Sequence, residues 1–142
     1  MRYLGLDLGT RSLGLSISDE TRTIANTLKT IKYNENDYNY LLGELSKVVI
    51  EFDISKMILG LPKNMNNTLG ERAMITLEFK SMLEKEFNIN VIMEDERLTT
   101  VEATNYMLQA DISRKKRKKK IDALAANIIL QSYLDKENGG KL

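Results

Sequence analysis

Leu4-Gly5-Leu6-Asp7-Leu8-Gly9-Thr10-Arg11-Ser12-Leu13-Gly14-Leu15-Ser16-Ile17 is the stretch whose reading decides the fold. Leu4, Leu6 and Leu8 alternate with Tyr3, Gly5 and Asp7, which is the period of a strand. Asp7 therefore faces away from the leucines, at the strand's end. Gly9-Thr10-Arg11 makes a turn, and Leu13, Leu15 and Ile17 give a second alternating strand. The short turn signals around Asp19-Glu20 suit a meander, so a third strand is predicted over Ile24 to Tyr33.

Downstream the period changes. Tyr38, Leu41, Leu42, Leu45, Val48, Val49 and Phe52 fall on one face of a helix opened by Asn34-Glu35-Asn36-Asp37. Met57-Ile58-Leu59 is a continuous apolar run, the mark of a central strand covered on both sides, and Gly60-Leu61-Pro62 ends it. A second helix is predicted from about Gly70 to Phe87, with Ile75, Phe79, Met82 and Leu83 inward. Val91-Ile92-Met93 forms a fifth strand. Thr99-Thr100-Val101-Glu102 then reads as a capping box for a helix ending near Leu108. The basic run follows, and a last helix is predicted over about Lys119 to Asp135, with Gly139-Gly140 marking a frayed end. The order β-β-β-α-β-α-β-α-α implies an α/β fold with a five-stranded mixed sheet and helices packed on both faces. One domain is expected over residues 1–136, with a frayed tail over 137–142.

Composition narrows the chemistry. A chain of 142 residues with 42% hydrophobic and 29% charged content is ordinary for one globular domain. No apolar run approaches the roughly 20 residues that span a bilayer. Asp7 interrupts the first apolar stretch, so the start does not read as a signal peptide. A cytoplasmic protein with no membrane partner is expected. There is no cysteine and no histidine, which excludes thiolate zinc, Cys and Ser-His-Asp nucleophiles, and any His-ligated metal. Enzymatic chemistry would fall to carboxylates, hydroxyls, lysines or a metal held by oxygen. The net charge is +1, yet seven of the 21 basic residues form one run, Arg114 to Lys120. An acidic body with one basic strip suggests a polyanionic partner at a single place.

Three acids stand where a packed domain rarely puts them. Asp7 ends the first strand, and Glu96 follows the fifth. Asp122 has Ala125, Ala126 and Ile129 at i+3, i+4 and i+7 and so shares an apolar helix face. A carboxylate there is costly unless it is paired or bound to a metal. The small alanines would let this helix approach the sheet and bring Asp122 toward the end of the first strand. Taken singly, each acid has an ordinary reading: Asp7 as a turn residue, Glu96 as the ion-pair partner of Arg97, Asp122 as a cap or a lysine's partner. Together, on elements able to converge, they favour an all-oxygen site for Mg2+ or Mn2+. Two such ions about 4 Å apart suit phosphodiester hydrolysis. Arg114, Lys115, Lys116, Arg117 and Lys118 read either as a solvated loop or as phosphate ligands, and their position before Asp122 favours the second. No aromatic residue interleaves the run, so backbone and shape rather than stacking would govern recognition there.

These residues resemble a known family. Asp7-Leu8-Gly9-Thr10-Arg11-Ser12-Leu13-Gly14, Gly60-Leu61-Pro62-Lys63-Asn64-Met65, Asp95-Glu96-Arg97-Leu98-Thr99-Thr100-Val101-Glu102-Ala103, Ser113-Arg114-Lys115-Lys116-Arg117 and Ile121-Asp122-Ala123-Leu124-Ala125-Ala126 are similar, in order, to the motifs of the YqgF/RuvX family. The resemblance implies an RNase H-like fold, Asp7, Glu96 and Asp122 as the acidic triad, and a nuclease acting with a divalent metal. Family members were first assigned to Holliday junctions by likeness to RuvC and are also linked to 5′ trimming of precursor 16S rRNA, the preferred substrate here. Two departures stand out. RuvC-type resolvases carry a glutamate at the end of the central strand, where this chain has Gly60-Leu61-Pro62, so Glu96 must substitute. Asn66-Asn67 replaces the usual Asp-Gly, and Asn tolerates the left-handed turn.

Thr10 is expected to touch a phosphate, and Arg97 to orient Glu96 or clamp the scissile phosphate. Lys63 and Asn64 lie at the carboxyl end of the central strand, where open α/β sheets place ligands. The expected partner is structured RNA, with branched DNA as the alternative, and the expected state is a monomer or weak homodimer. Two rival classes remain. One is an ATP-binding protein of the actin and sugar-kinase type, which pairs two domains where this chain has length for one. The other is a non-catalytic nucleic-acid binder with an idle acid cluster.

Overall fold

The first strand forms because its leucines have a core to face and its other residues have a helix. In the computed structural model, which describes residues 1–62, 70–95 and 114–139 (side chains excepted over 114–123), β1 spans Arg2–Leu8, β2 Ser12–Ser18 and β3 Ala25–Lys32. Helix α1 follows at Tyr38–Phe52, then β4 at Ile54–Leu61, α2 at Glu71–Phe87, β5 at Asn90–Asp95 and α3 at Arg114–Glu137. The sheet order is β3-β2-β1-β4-β5. The first three strands are antiparallel neighbours, while β4 runs parallel to both β1 and β5. This is the mixed sheet expected from the sequence. The helix predicted over Thr99 to Leu108 lies outside the described residues.

Two cores sandwich the sheet. Leu4, Leu6 and Leu8 pack with Leu13, Leu15, Met57 and Leu59 beneath Leu41, Leu45 and Val48 of α1 and Phe79 and Leu83 of α2. On the other face Tyr3 and Ile58 meet Ile129, Leu130 and Leu134 of α3. Met57, Ile58 and Leu59 are all fully buried, alternately into one core and the other. Helix α1 is capped as its sequence dictates: the Asp37 carboxylate accepts from the Tyr40 amide at 3.3 Å, and Asp53 ends it in the left-handed region at φ 52.

Two details depart from the periodicity. In α2 the buried residues are Ala73, Thr76, Phe79 and Leu83, while Ile75 and Met82 sit at the core's edge. Thr76 tolerates burial because its hydroxyl donates to the Arg72 carbonyl one turn back, at 2.8 Å. Helix α3 begins at Arg114, five residues before the sequence-based boundary, so the basic run forms its opening turns instead of preceding it. Lysine and arginine are good helix formers, so the run can extend a helix anchored downstream. At its other end α3 carries Glu137 and Asn138 into contact with the sheet and the β2–β3 turn, through Tyr3 and the Arg22 carbonyl.

Candidate active site

Helix α3 approaches the sheet closely because of one glycine. A Cβ built on Gly5 would stand 2.3 Å from Ser16 Oγ, 2.7 Å from Leu130 Cβ and 2.9 Å from the Ala126 carbonyl oxygen. No side chain fits there. Ser16 itself donates to that Ala126 carbonyl at 2.8 Å, fastening the helix to β2. The far end is held by Lys56, whose ammonium meets Tyr133 Oη at 3.0 Å and Glu137 Oε2 at 3.1 Å, and by Tyr3, whose phenol donates to Glu137 at 2.9 Å. Burial alone would raise the Glu137 carboxyl, but hydrogen bonds from Tyr3, Lys56 and Tyr133 outweigh it and hold the group below its ordinary 4.5.

These contacts set a register. Glu137 lies by Tyr3, and Leu130 and Ala126 lie by Gly5, so α3 runs antiparallel to β1. Two residues further along β1 is Asp7, about 6.6 Å on. One helical turn back from Ala126, about 5.4 Å, reaches the turn that contains residue 122. The backbone therefore brings the Asp7 and Asp122 positions to the same level of the helix–sheet interface.

Asp7 is half-buried and sits in a row of small neighbours. Across the sheet it pairs with Gly14 on β2. The register with β4, Leu6 opposite Leu59, sets Gly60 on its other side. Directly paired residues share a face, so neither directly paired position sets a side chain beside the carboxylate. Glu94 continues the row, paired with Gly60 on β5, and is buried with its carboxylate ion-paired to Lys136. Sequence reasoning missed this acid. Its only signal was the alternation that sets Ile92 and Glu94 on the face opposite Val91 and Met93.

The turn after β1 is anchored through its backbone. The Gly9 amide donates to the Ser12 carbonyl at 2.8 Å, Arg72 donates to the Leu8 carbonyl at 3.1 Å, and the Tyr33 amide donates to the Arg11 carbonyl at 3.1 Å. The Tyr33 hydroxyl donates to the Gly9 carbonyl, and burial, with Tyr38 adding to it, pushes this phenol up to about 12. Thr10 and Arg11 are left at the tip with their side chains exposed. Asp7 and Thr10 are thus brought to one end of the sheet. Arg114, Lys115, Lys116, Arg117 and Lys118 occupy the opening turns of α3, where positive side chains oppose the helix dipole and a bound polyanion would relieve both. Glu96, Arg97, Lys63 and Asn64 lie outside the described residues, as does the Asn66-Asn67 turn.

Among the described residues no three acids gather to hold a metal. Of the proposed triad only the Asp7 side chain is described. Its surroundings nevertheless fit a hard cation: an oxygen donor, glycines on either side, and a chain without histidine or cysteine to draw a softer metal.

Residues 1–136 match the model of the RuvX family, described as Holliday junction resolvase. The chain belongs to the RuvX family. Relatives of this RuvX protein include a candidate pre-16S rRNA nuclease of Bacillus subtilis (strain 168), 49% identical over 138 residues, covering 97% of this chain and 100% of that one. A relative with the same name from Geobacillus sp. (strain WCH70) is 47% identical over 135 residues, covering 95% of this chain and 98% of that one. Among solved structures, Thermus thermophilus RuvC in complex with a Holliday junction substrate superimposes with a TM-score of 0.60 at 15% identity, covering 98% of this chain and 97% of that one. The Fowlpox virus resolvase bound to junction DNA gives a TM-score of 0.60 at 14% identity, covering 96% and 99%. The RuvX chain thus has the RNase H-like fold.

Proposed function

We propose that this RuvX protein is a divalent-metal-dependent nuclease that hydrolyses phosphodiester bonds in the 5′ maturation of precursor 16S rRNA. The observation that carries the reading is Asp7, set between Gly14 and Gly60 on the face that α3 approaches at Gly5, level with the turn holding Asp122. Identity of 47–49% over nearly the full length to proteins named for pre-16S rRNA supports the RNA substrate.

In this reading Asp7, Glu96 and Asp122 hold Mg2+ or Mn2+. The metal, when bound, supplies charge stabilisation and an activated water at neutral pH. The protein's own residues do the rest. Thr10 presents its hydroxyl to a phosphate at the rigid turn tip, while Arg114 to Lys118 neutralise phosphates of the flanking strand at the start of α3. Arg97 orients Glu96 or clamps the scissile phosphate, and Lys63 and Asn64 bind at the end of β4. Working in the cytoplasm as a monomer or weak homodimer suffices for RNA trimming, and no described helix is long and apolar enough to cross a membrane.

A second reading, cleavage of four-way DNA junctions, is favoured by the family description and would require a two-fold dimer to cut both strands symmetrically. Side-by-side assays on structured precursor RNA and four-way DNA with Mn2+ separate the two. Cleavage of the RNA, abolished by Asp7→Asn with RNA binding intact, is the expected result. Preferential junction cleavage would move the assignment to DNA. Unchanged cleavage by Asp7→Asn would remove the metal site.

A further inference from the structure

Beyond the β1–β2 turn, on the face covered by α1, lies an open cleft of about 240 Å³ lined by Lys32, Tyr33, Asn34, Asp37 and Tyr40. Nothing in the proposed catalytic arrangement uses it. Its position is set by the sheet: Lys32 pairs with Ser12 at the end of β3, and the Tyr33 amide is bonded to the Arg11 carbonyl, so the cleft adjoins the exposed Thr10-Arg11 tip. Asp7, Gly14 and Thr30 lie level, and Lys32 is two residues further along β3. Strand spacings put roughly 12 Å of backbone between Asp7 and Lys32. A single strand covers that in a few nucleotides, at about 3.4 Å per stacked step.

The lining has the chemistry of a base seat. Tyr40 is an aromatic residue left 47% exposed in the first turn of α1, whose buried residues are Leu41, Leu45 and Val48. Its ring is held in place: the phenol bonds to Glu44 Oε1 at 3.0 Å, and Glu44 is paired to Lys47 at 2.8 Å. Of the acids near the cleft, Asp37 caps the Tyr40 amide and Glu44 holds the Tyr40 hydroxyl, while Glu35 beside Asn34 is exposed. Lys32 and Arg11 are exposed cations beside them. An exposed, oriented ring and a lysine lining one cleft are the parts from which sequence-tolerant single-strand sites are built.

We propose that this cleft seats one unpaired nucleobase of the substrate strand, stacked on Tyr40 with its phosphate on Lys32. The proposal rests on the nucleic-acid reading above and adds a requirement for an unpaired flank. The strand runs from the basic turns of α3, past Asp7 and over the Thr10-Arg11 tip, into the cleft. Asn34 and the outer oxygen of Asp37 meet the base edge.

The chain has no tryptophan, so Tyr40→Trp places its sole indole in the cleft. The test titrates this variant, in EDTA to prevent cleavage, with a short labelled oligoadenylate and with an abasic phosphodiester of equal length, following indole emission and label anisotropy together. The expected result is saturable quenching by the base-bearing strand and none by the abasic one. Tyr40→Ala should weaken binding of the first by roughly 5-fold or more and leave the second unchanged. Rising anisotropy without quenching, or equal quenching by both strands, overturns the base seat and leaves the nuclease reading standing. No anisotropy change with either strand defeats both.

Discussion

Gly5→Ala tests how closely α3 must dock. The added methyl would lie 2.3 Å from Ser16 Oγ, 2.7 Å from Leu130 Cβ and 2.9 Å from the Ala126 oxygen, and two of those three atoms belong to the helix. Neither a β1 backbone in mid-sheet nor a helix carbonyl can retreat locally, so α3 must move outward. Overpacking of this kind costs about 1–3 kcal/mol, and stretching the Ser16–Ala126 bond adds about 0.5–1.5. Reduced freedom of the unfolded chain returns less than about 1 kcal/mol. The net, about 2–3 kcal/mol, corresponds to a melting temperature lowered by about 6–10 °C for a domain of this size. Thermal and urea denaturation followed by circular dichroism measure it. Adding Ser16→Ala removes the nearest obstacle, so the pair should be less destabilised than the sum of the singles by about 1 kcal/mol. Cleavage, assayed where the variant is still folded, should fall more than about tenfold, because a displacement of about 1 Å separates the two acids. A variant melting within about 1 °C of the wild type would refute the close-docking argument.

Other perturbations address separate features. Lys136→Met strands the buried Glu94 carboxylate and should cost about 1–3 kcal/mol in urea denaturation, more than Lys136→Met combined with Glu94→Leu, since the double variant leaves no buried carboxylate without its partner. Glu137 has its folded pKa depressed, so its contribution is present above the unfolded value near 4.5 and is lost as pH falls through the folded one. Glu137→Gln should therefore flatten the acid limb of stability against pH below about 4.5, while leaving its shape near neutrality unchanged. Replacing Lys115, Lys116 and Lys118 with Ala should weaken RNA binding across sequences and reduce the log–log salt slope by about 0.7 for each single-strand phosphate no longer neutralised. An unchanged slope would leave the start of α3 as a solvated face.

Much of the fold was legible because its elements obey simple periods. The leucines of β1 and the Tyr38–Phe52 stripe of α1 fell where alternation and helical spacing put them, and Met57-Ile58-Leu59 is buried on both sides as a continuous run must be. Asp7 was legible for the same reason, since alternation alone turns it away from the leucine core. Composition misled at the basic run, where charge suggested a break that helix propensity does not require. It also misled in α2, where Thr76 is buried by satisfying its own hydroxyl locally. The glycines beside Asp7 depend on strand register, and the pairing of buried Glu94 with Lys136 on the docking of α3, which join residues far apart in the chain and leave no local trace. Tyr40 could be placed only after β3 and α1 were, because nothing in its immediate neighbours distinguishes an edge of the helix stripe from an exposed ring.

The central claim is that acids from separate elements, Asp7 among them, share one divalent cation. Mn2+ binding measured by electron paramagnetic resonance, on the wild type and on Asp7→Asn and Asp122→Asn of confirmed fold, tests it without relying on a substrate. The account requires saturable Mn2+ binding by the wild type and its weakening, by at least about tenfold in affinity, in each variant alone. Equal binding by all three proteins, or none by the wild type even with RNA present, would contradict it.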